Sequence, residues 1–163
     1  MNKLHLLLLS LVAAFCCSAA TPAHADDLPE KYDILSAGSG TQGTYLVKVY
    51  VYSRTGKVAD TDLKYAAVHG VLFRGFSGTQ GNPSQRPLCG SPAVEEQKAD
   101  FFNGFFGKDK TYLQYAAVVP ASYERVKMSK KGYKVGAIVQ VEKDALRKDL
   151  EQAGVIRGLN SFF

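Results

Sequence analysis

The sequence contains no tryptophan, two methionines, three cysteines and three histidines among its 163 residues. Charged residues make up only 21% of the chain, whereas 46% of it is apolar. That composition is too apolar and too weakly charged for a disordered protein. A chain of this length is expected to form one domain with a hydrophobic core of its own.

The first 25 residues have the pattern of a cleaved signal peptide. Lys3 supplies the positive charge, residues 4–15 are almost continuously apolar, and Ala23 and Ala25 provide the small residues of a cleavage site. A membrane-spanning helix would need about 20 apolar residues, more than this run contains. We therefore predict cleavage after residue 25 and export to the periplasm or the outer envelope. Lipidation of Cys16 or Cys17 is the alternative, although neither cysteine follows a small residue.

Removal of the signal peptide changes which chemistry the chain can perform. Residues 1–25 contain one lysine and no acidic residue, so residues 26–163 form a domain of 138 residues with a net charge of +4. Cys89 is then the only cysteine and His69 the only histidine. An internal disulfide and a tetrahedral metal set are both excluded for such a domain. We therefore predict no metal, no cofactor, and a fold stabilised by an ordinary core.

The pattern of apolar residues after the signal peptide predicts a single α+β domain. Strict alternation over residues 44–53 places Tyr45, Val47, Val49 and Val51 on one face, which is expected to be the core face. We predict a mainly antiparallel sheet of three to five strands with two or three helices on one face. The predicted strands are 32–37, 44–53, 111–119, 124–128 and 133–142, and the predicted helices are 63–73, 93–106 and 144–153.

Two segments are predicted to be loops and not binding motifs. Residues 38–43 match the G-x-G-x-x-G pattern of dinucleotide sites, in which the third glycine opens a helix. The residues that follow Gly43 are β-branched and aromatic, so they predict a strand and the motif is interpreted as a turn. Residues 77–92 are rich in glycine and proline, which indicates a long loop that is either functional or mobile.

Cys89 and His69 are the candidates for a catalytic pair. A histidine can activate a cysteine thiol by taking its proton, so a small enzyme that uses this pair is one alternative. Cys89 could instead be a reactive thiol that links two chains, or an incidental one. We predict a protein that is not an enzyme, with His69 on a helix surface.

A basic hairpin is the clearest candidate for a binding surface. Five cationic side chains fall within residues 125–134 of the predicted hairpin, with one glutamate, Glu124, beside them. They could bind an anionic ligand or a membrane surface. The alternative is a solvated hairpin whose lysines protect an edge strand from pairing. Nucleic acid is not expected as a partner of an exported protein. The five residues are Arg125, Lys127, Lys130, Lys131 and Lys134.

Four phenylalanines within six residues form a second candidate surface. Adjacent residues of a helix point about 100° apart, so residues 101–102 and 105–106 cannot all share one face. Most of these rings are expected in the core. Phe102 and Phe106 are candidates for contact with a protein partner.

Three segments carry a resemblance to known proteins: residues 46–52, residues 65–71, and residues 143–150 after the terminal hairpin. The chain resembles small exported proteins of unknown function from Gram-negative envelopes. Its order of elements is also similar to the small α+β domains of curli-secretion-type lipoproteins and flagellar T-ring proteins. That similarity implies an assembly or accessory role and transfers no functional residue. We therefore expect a non-catalytic envelope protein that binds or assembles with a protein partner, in an oligomeric state left open.

Overall fold

The computed structural model describes residues 28–79, 81–129 and 132–158. The predicted signal peptide, Lys130, Lys131 and residues 159–163 therefore lie outside the described part. Within that part, no helix is long and apolar enough to cross a lipid bilayer. The strands are β1 (Tyr32–Gly38), β2 (Tyr45–Ser53), β3 (Ala116–Val118), β4 (Glu124–Ser129) and β5 (Gly132–Val141), and the α-helices are α1 (Asp60–His69), α2 (Ala93–Gln97), α3 (Ala99–Phe102) and α4 (Lys143–Gln152).

All five strands belong to one antiparallel sheet. β2 and β5 form its centre and pair over nine residues, from Tyr45 opposite Val141 to Ser53 opposite Tyr133. β1 pairs with the free side of β2. β3 and β4 both pair with the other side of β5, one after the other along its length. The α+β fold with a mainly antiparallel sheet is therefore confirmed.

The core lies between one face of the sheet and the helices. Val47, Val49 and Val51 are buried on that face, as the alternation of residues 44–53 predicts. Directly after α1 the chain approaches the sheet closely at Gly70, which begins a π-helical turn (Gly70–Arg74). A Cβ at Gly70 would lie 2.7 Å from Cδ1 of Ile34, so only a glycine fits there without a shift.

The predicted strand at residues 111–119 is wrong in its first half. Thr111–Tyr115 form a 3₁₀ helix, and only Ala116–Val118 are a strand. Tyr112 and Tyr115 are both buried, and a helix with three residues per turn places both on one side. A strand would have sent one of the two rings into solvent, because the residues are an odd number apart.

The predicted helix at residues 93–106 is divided into shorter segments. Helix α2 ends at Gln97, α3 begins at Ala99, and a π-helical turn (Asn103–Lys108) follows. Phe102, Phe105 and Phe106 are buried in the core, while Phe101 is half-buried. These three residues are at positions i, i+3 and i+4, a spacing that places their rings on one face of a helix.

The described part of the loop at residues 77–92 is attached to the end of the first helix. The N–H of Leu88 donates to the carbonyl of Val71 at 2.9 Å, and the N–H of Cys89 donates to that of Leu72 at 3.0 Å. Two backbone hydrogen bonds thus hold the end of this loop against the core.

Candidate functional site

Strand β4 forms an open edge of the sheet with exposed apolar side chains along it. It pairs with β5 on one side, and no other described strand pairs with it. Tyr123 precedes β4 and is 47% exposed, Val126 is 49% exposed, and Met128 is 58% exposed. Tyr52, on β2, is 45% exposed. We call Tyr52, Tyr123, Val126 and Met128 the β4 stripe; they are the exposed large apolar residues of the described part of the chain.

The register of β4 separates its apolar and cationic side chains. Val126 lies opposite Lys134, which in turn lies opposite Tyr52, so these three share the sheet face that carries no helix. Arg125 lies opposite Val135, which is buried, and therefore points to the helical side. Pairing with β5 is regular from Glu124 to Lys127 and shifts before Ser129. The regular part of the edge thus offers Val126 on one face and Arg125 with Lys127 on the other.

The structure describes three of the five cations of the basic hairpin. One of them has an acidic partner, and two do not. Lys134 Nζ lies 2.7 Å from Asp33 Oδ2 and 4.3 Å from the centre of the Tyr50 ring. Its hydrogen bond to Asp33 raises the pKa of Lys134 and lowers that of Asp33, so the positive charge of this lysine is balanced. No described acidic side chain pairs with Arg125 or Lys127. Their charges are available to a partner.

A second ion pair balances the charge at the start of β4. Lys48 Nζ lies 2.8 Å from Oε2 of Glu124, and this contact lowers the pKa of Glu124. The glutamate beside the basic hairpin is therefore occupied by a lysine of β2. The free charge along β4 is positive.

The structure does not favour the candidate catalytic pair. Cys89 is 9% exposed, and burial raises the pKa of its thiol to about 12. The carboxylate of Glu95 accepts from Nε2 of His69 at 3.1 Å, and Nδ1 lies 2.5 Å from the hydroxyl of Tyr32. Both ring nitrogens are therefore engaged, with Nδ1 as the acceptor. Burial also lowers the pKa of His69. A thiol that stays protonated and an imidazole whose two nitrogens are both occupied are poorly suited to act as nucleophile and base.

The two phenylalanines that the sequence offered as partner contacts lie in the core. Phe102 is 3% exposed and Phe106 is 5% exposed. Phe102 packs edge-on against Phe73, and Phe106 packs edge-on against Tyr65. Helix packing covers both rings, so they are not exposed for the surface contact that the sequence suggested.

A cleft of about 450 Å³ lies beside α4 and had no signal in the sequence. Its lining comes from α3, the turn after it and the 3₁₀ helix, which follow one another in the chain, and from the distant α4. Three aspartates line it, yet in the described ranges no three His, Cys, Asp or Glu side chains are grouped closely enough to hold a metal ion. The lining residues are Asp100, Phe101, Gly104, Phe105, Asp109, Thr111, Gln114, Tyr115, Leu146, Asp149 and Leu150.

Comparisons of the chain with family models, with curated proteins and with solved structures found no match. The resemblance to small exported envelope proteins therefore stays a prediction.

Proposed function

We propose that this protein is a non-catalytic binding module of the cell envelope that takes up a protein partner at the edge strand β4. The partner contributes an extended, acidic segment that pairs with β4 as an additional strand. One observation carries the proposal: three of the four exposed large apolar side chains of the described residues, Tyr123, Val126 and Met128, lie on β4 or directly before it.

The open edge supports strand pairing because half of its backbone groups lack a partner strand. An edge strand presents N–H and C=O groups that can bind an extended peptide, with pockets and charges for alternate side chains. Val126 would cover an apolar side chain of the added strand on the face without helices. Soluble proteins usually protect such an edge by covering it or by keeping its apolar side chains few.

The charge of the edge favours an acidic partner over a second copy of this chain. Antiparallel self-pairing centred on Val126 would place Arg125 of one copy opposite Lys127 of the other. Like charges directly opposite each other destabilise a strand pair. Glutamate or aspartate at alternate positions of the partner would instead face Arg125 and Lys127, which have no described acidic partner.

A binding titration with capped peptides tests this proposal. The probe is a peptide of about seven residues that alternates glutamate and valine, matched in length to an ordinary strand. The controls are a lysine–valine peptide and the acidic peptide with proline at its centre, which cannot donate there. We expect the acidic peptide to bind at least about tenfold more tightly than either control.

Charge reversal on β4 tests the site of binding. Arg125→Glu with Lys127→Glu should weaken the acidic peptide by about tenfold and strengthen the lysine–valine peptide. The matched control is Lys98→Glu with Lys108→Glu, which changes the net charge equally at exposed positions away from β4. Equal effects of the two double variants would contradict the proposal. So would binding to anionic lipid vesicles, but to no peptide, through Arg125 and Lys127.

A further inference from the structure

The cleft beside α4 has the dimensions and lining of a small-molecule site. We propose that it binds a small organic ammonium ion with an apolar body, such as an arylalkylamine. Its volume of about 450 Å³ lies within the range of about 300–1,000 Å³ that is usual for such sites. The site is separate from β4, and the inference does not depend on the proposed function.

The floor of the cleft is apolar and held in place by the core. Leu146 and Leu150, one turn apart on α4, are buried beneath it. The ring of Phe105 stacks on Tyr115 with 6.0 Å between ring centres, and Phe101 stacks on Phe105 at 5.6 Å. Because the floor is built from packed side chains, the cleft exists before a ligand binds. Such a surface takes up an aliphatic or aromatic body.

The polar lining of the cleft selects a positive charge. Asp100, Asp109 and Asp149 line it, and no lysine or arginine is among the lining residues. The hydroxyl of Tyr115 donates to Oδ2 of Asp149, which fixes that carboxylate at the edge of the floor. The faces of the aromatic rings add a further attraction for a cation. This cleft is therefore locally acidic in a chain whose net charge is +5.

The two features together define the class of ligand. An inorganic cation would leave the apolar floor uncovered, and a carboxylic acid would enter a cleft whose lining has aspartates and no lysine or arginine. An ammonium group on an apolar body satisfies both parts of the lining at once. We expect the body to lie on Phe101 and Phe105, with the ammonium group towards the aspartates.

Nuclear magnetic resonance titration with 2-phenylethylamine tests the inference. The controls are 2-phenylethanol and 3-phenylpropanoate, which have similar bodies and no positive charge. We expect the amine to shift the methyl signals of Leu146 and Leu150. It should bind at least about fivefold more tightly than either control, and its affinity should fall as the salt concentration rises. Equal binding of the alcohol, or no shift at about 10 mM amine, would overturn the inference.

Two variants separate a charge-selective site from an adventitious apolar contact. Asp100→Asn with Asp109→Asn keeps the shape of two exposed side chains and should weaken the amine by at least about fivefold without a change for the alcohol. Glu30→Gln, which removes an exposed carboxylate outside the cleft, should leave amine binding unchanged. Unaltered amine affinity in the double variant would also overturn the inference.

Discussion

The ring of Tyr50 lies against the backbone of Gly136, in the space that a Cβ would occupy. A Cβ built on Gly136 would lie 2.5 Å from Cδ1 of Tyr50. The same ring lies between two ammonium groups, with Lys134 Nζ at 4.3 Å and Lys48 Nζ at 5.5 Å from its centre. Tyr50 thus covers the bare backbone of β5 on the sheet face that has no helix, and its ring lies near the lysines of both ion pairs on that face, Lys48–Glu124 and Lys134–Asp33.

Replacement of Gly136 should therefore destabilise the fold. We expect Gly136→Ala to reduce the free energy of unfolding by about 1–3 kcal/mol, because the new methyl group displaces the Tyr50 ring. Urea denaturation measures the change. Gly107→Ala is the control, since a Cβ there meets nothing within 4 Å. Its effect should stay within about 0.5 kcal/mol. Equal stabilities of the two variants would show that Tyr50 can move away without cost.

The thiol of Cys89 should be unreactive in the folded protein. It is buried, and burial raises its pKa to about 12, so little thiolate forms near neutral pH. We expect a thiol reagent to label Cys89 at least about a hundredfold more slowly in buffer than in strong denaturant. The protein should also have the same size with and without a reductant. Rapid labelling in buffer would restore the reactive-thiol alternative.

The stability of the fold should fall as the pH drops below about 6.5, the ordinary pKa of a histidine, because burial lowers the pKa of His69 in the folded protein. The unfolded chain then takes up a proton that the folded protein takes up only at lower pH. This stability is complete above pH 6.5 and is lost as the pH falls through the folded pKa of His69. The lowered pKa values of Asp33 and Glu124 act in the same direction, but only below about pH 4.5.

Thermal unfolding of the protein without residues 1–25 measures this dependence, since the other two histidines lie in that segment. We expect His69→Gln to flatten the fall in midpoint between pH 7.5 and pH 5.5, while Tyr32→Phe keeps the histidine buried and retains the fall. An equally steep fall in His69→Gln would assign the pH dependence to other groups.

Removal of the carboxylate that pairs with Lys134 should change binding more than stability. Asp33 and Lys134 are both partly exposed, and such pairs contribute about 0–1 kcal/mol. We expect Asp33→Asn to lower the free energy of unfolding by less than about 1 kcal/mol. The same variant should strengthen binding of the glutamate–valine peptide by about two- to threefold, because the positive charge of Lys134 is then no longer balanced by a carboxylate. Weaker peptide binding in this variant would mean that the charge of Lys134 does not attract the added strand.

The sequence predicts those parts of the fold that depend on local periodicity. The alternation of Val47, Val49 and Val51 is sufficient to place β2 with the correct face inwards. The same reasoning fails at Tyr112 and Tyr115, because aromatic residues favour a strand and only the packing against the core selects a 3₁₀ helix. Local patterns thus identify elements, whereas packing decides between elements of similar propensity.

The candidate site depends on contacts between distant residues, which the sequence does not reveal. The basic residues of the hairpin are visible in the sequence, but the pairing of Lys134 with Asp33 and of Glu124 with Lys48 is not. Whether Val126 is exposed likewise depends on β3 and β4 sharing one side of β5. Among the described cations of the hairpin, the structure therefore leaves Arg125 and Lys127 without an acidic partner.

Hydrogen–deuterium exchange of the β4 amides tests the proposed binding edge most directly. The protein is measured alone, with the glutamate–valine peptide, and with its proline version. Strand addition should slow exchange at Val126 and its neighbours by at least about threefold with the first peptide and leave it unchanged with the second. Unchanged exchange on β4 at saturating peptide, or slower exchange confined to another surface, would contradict the proposal that β4 receives the partner.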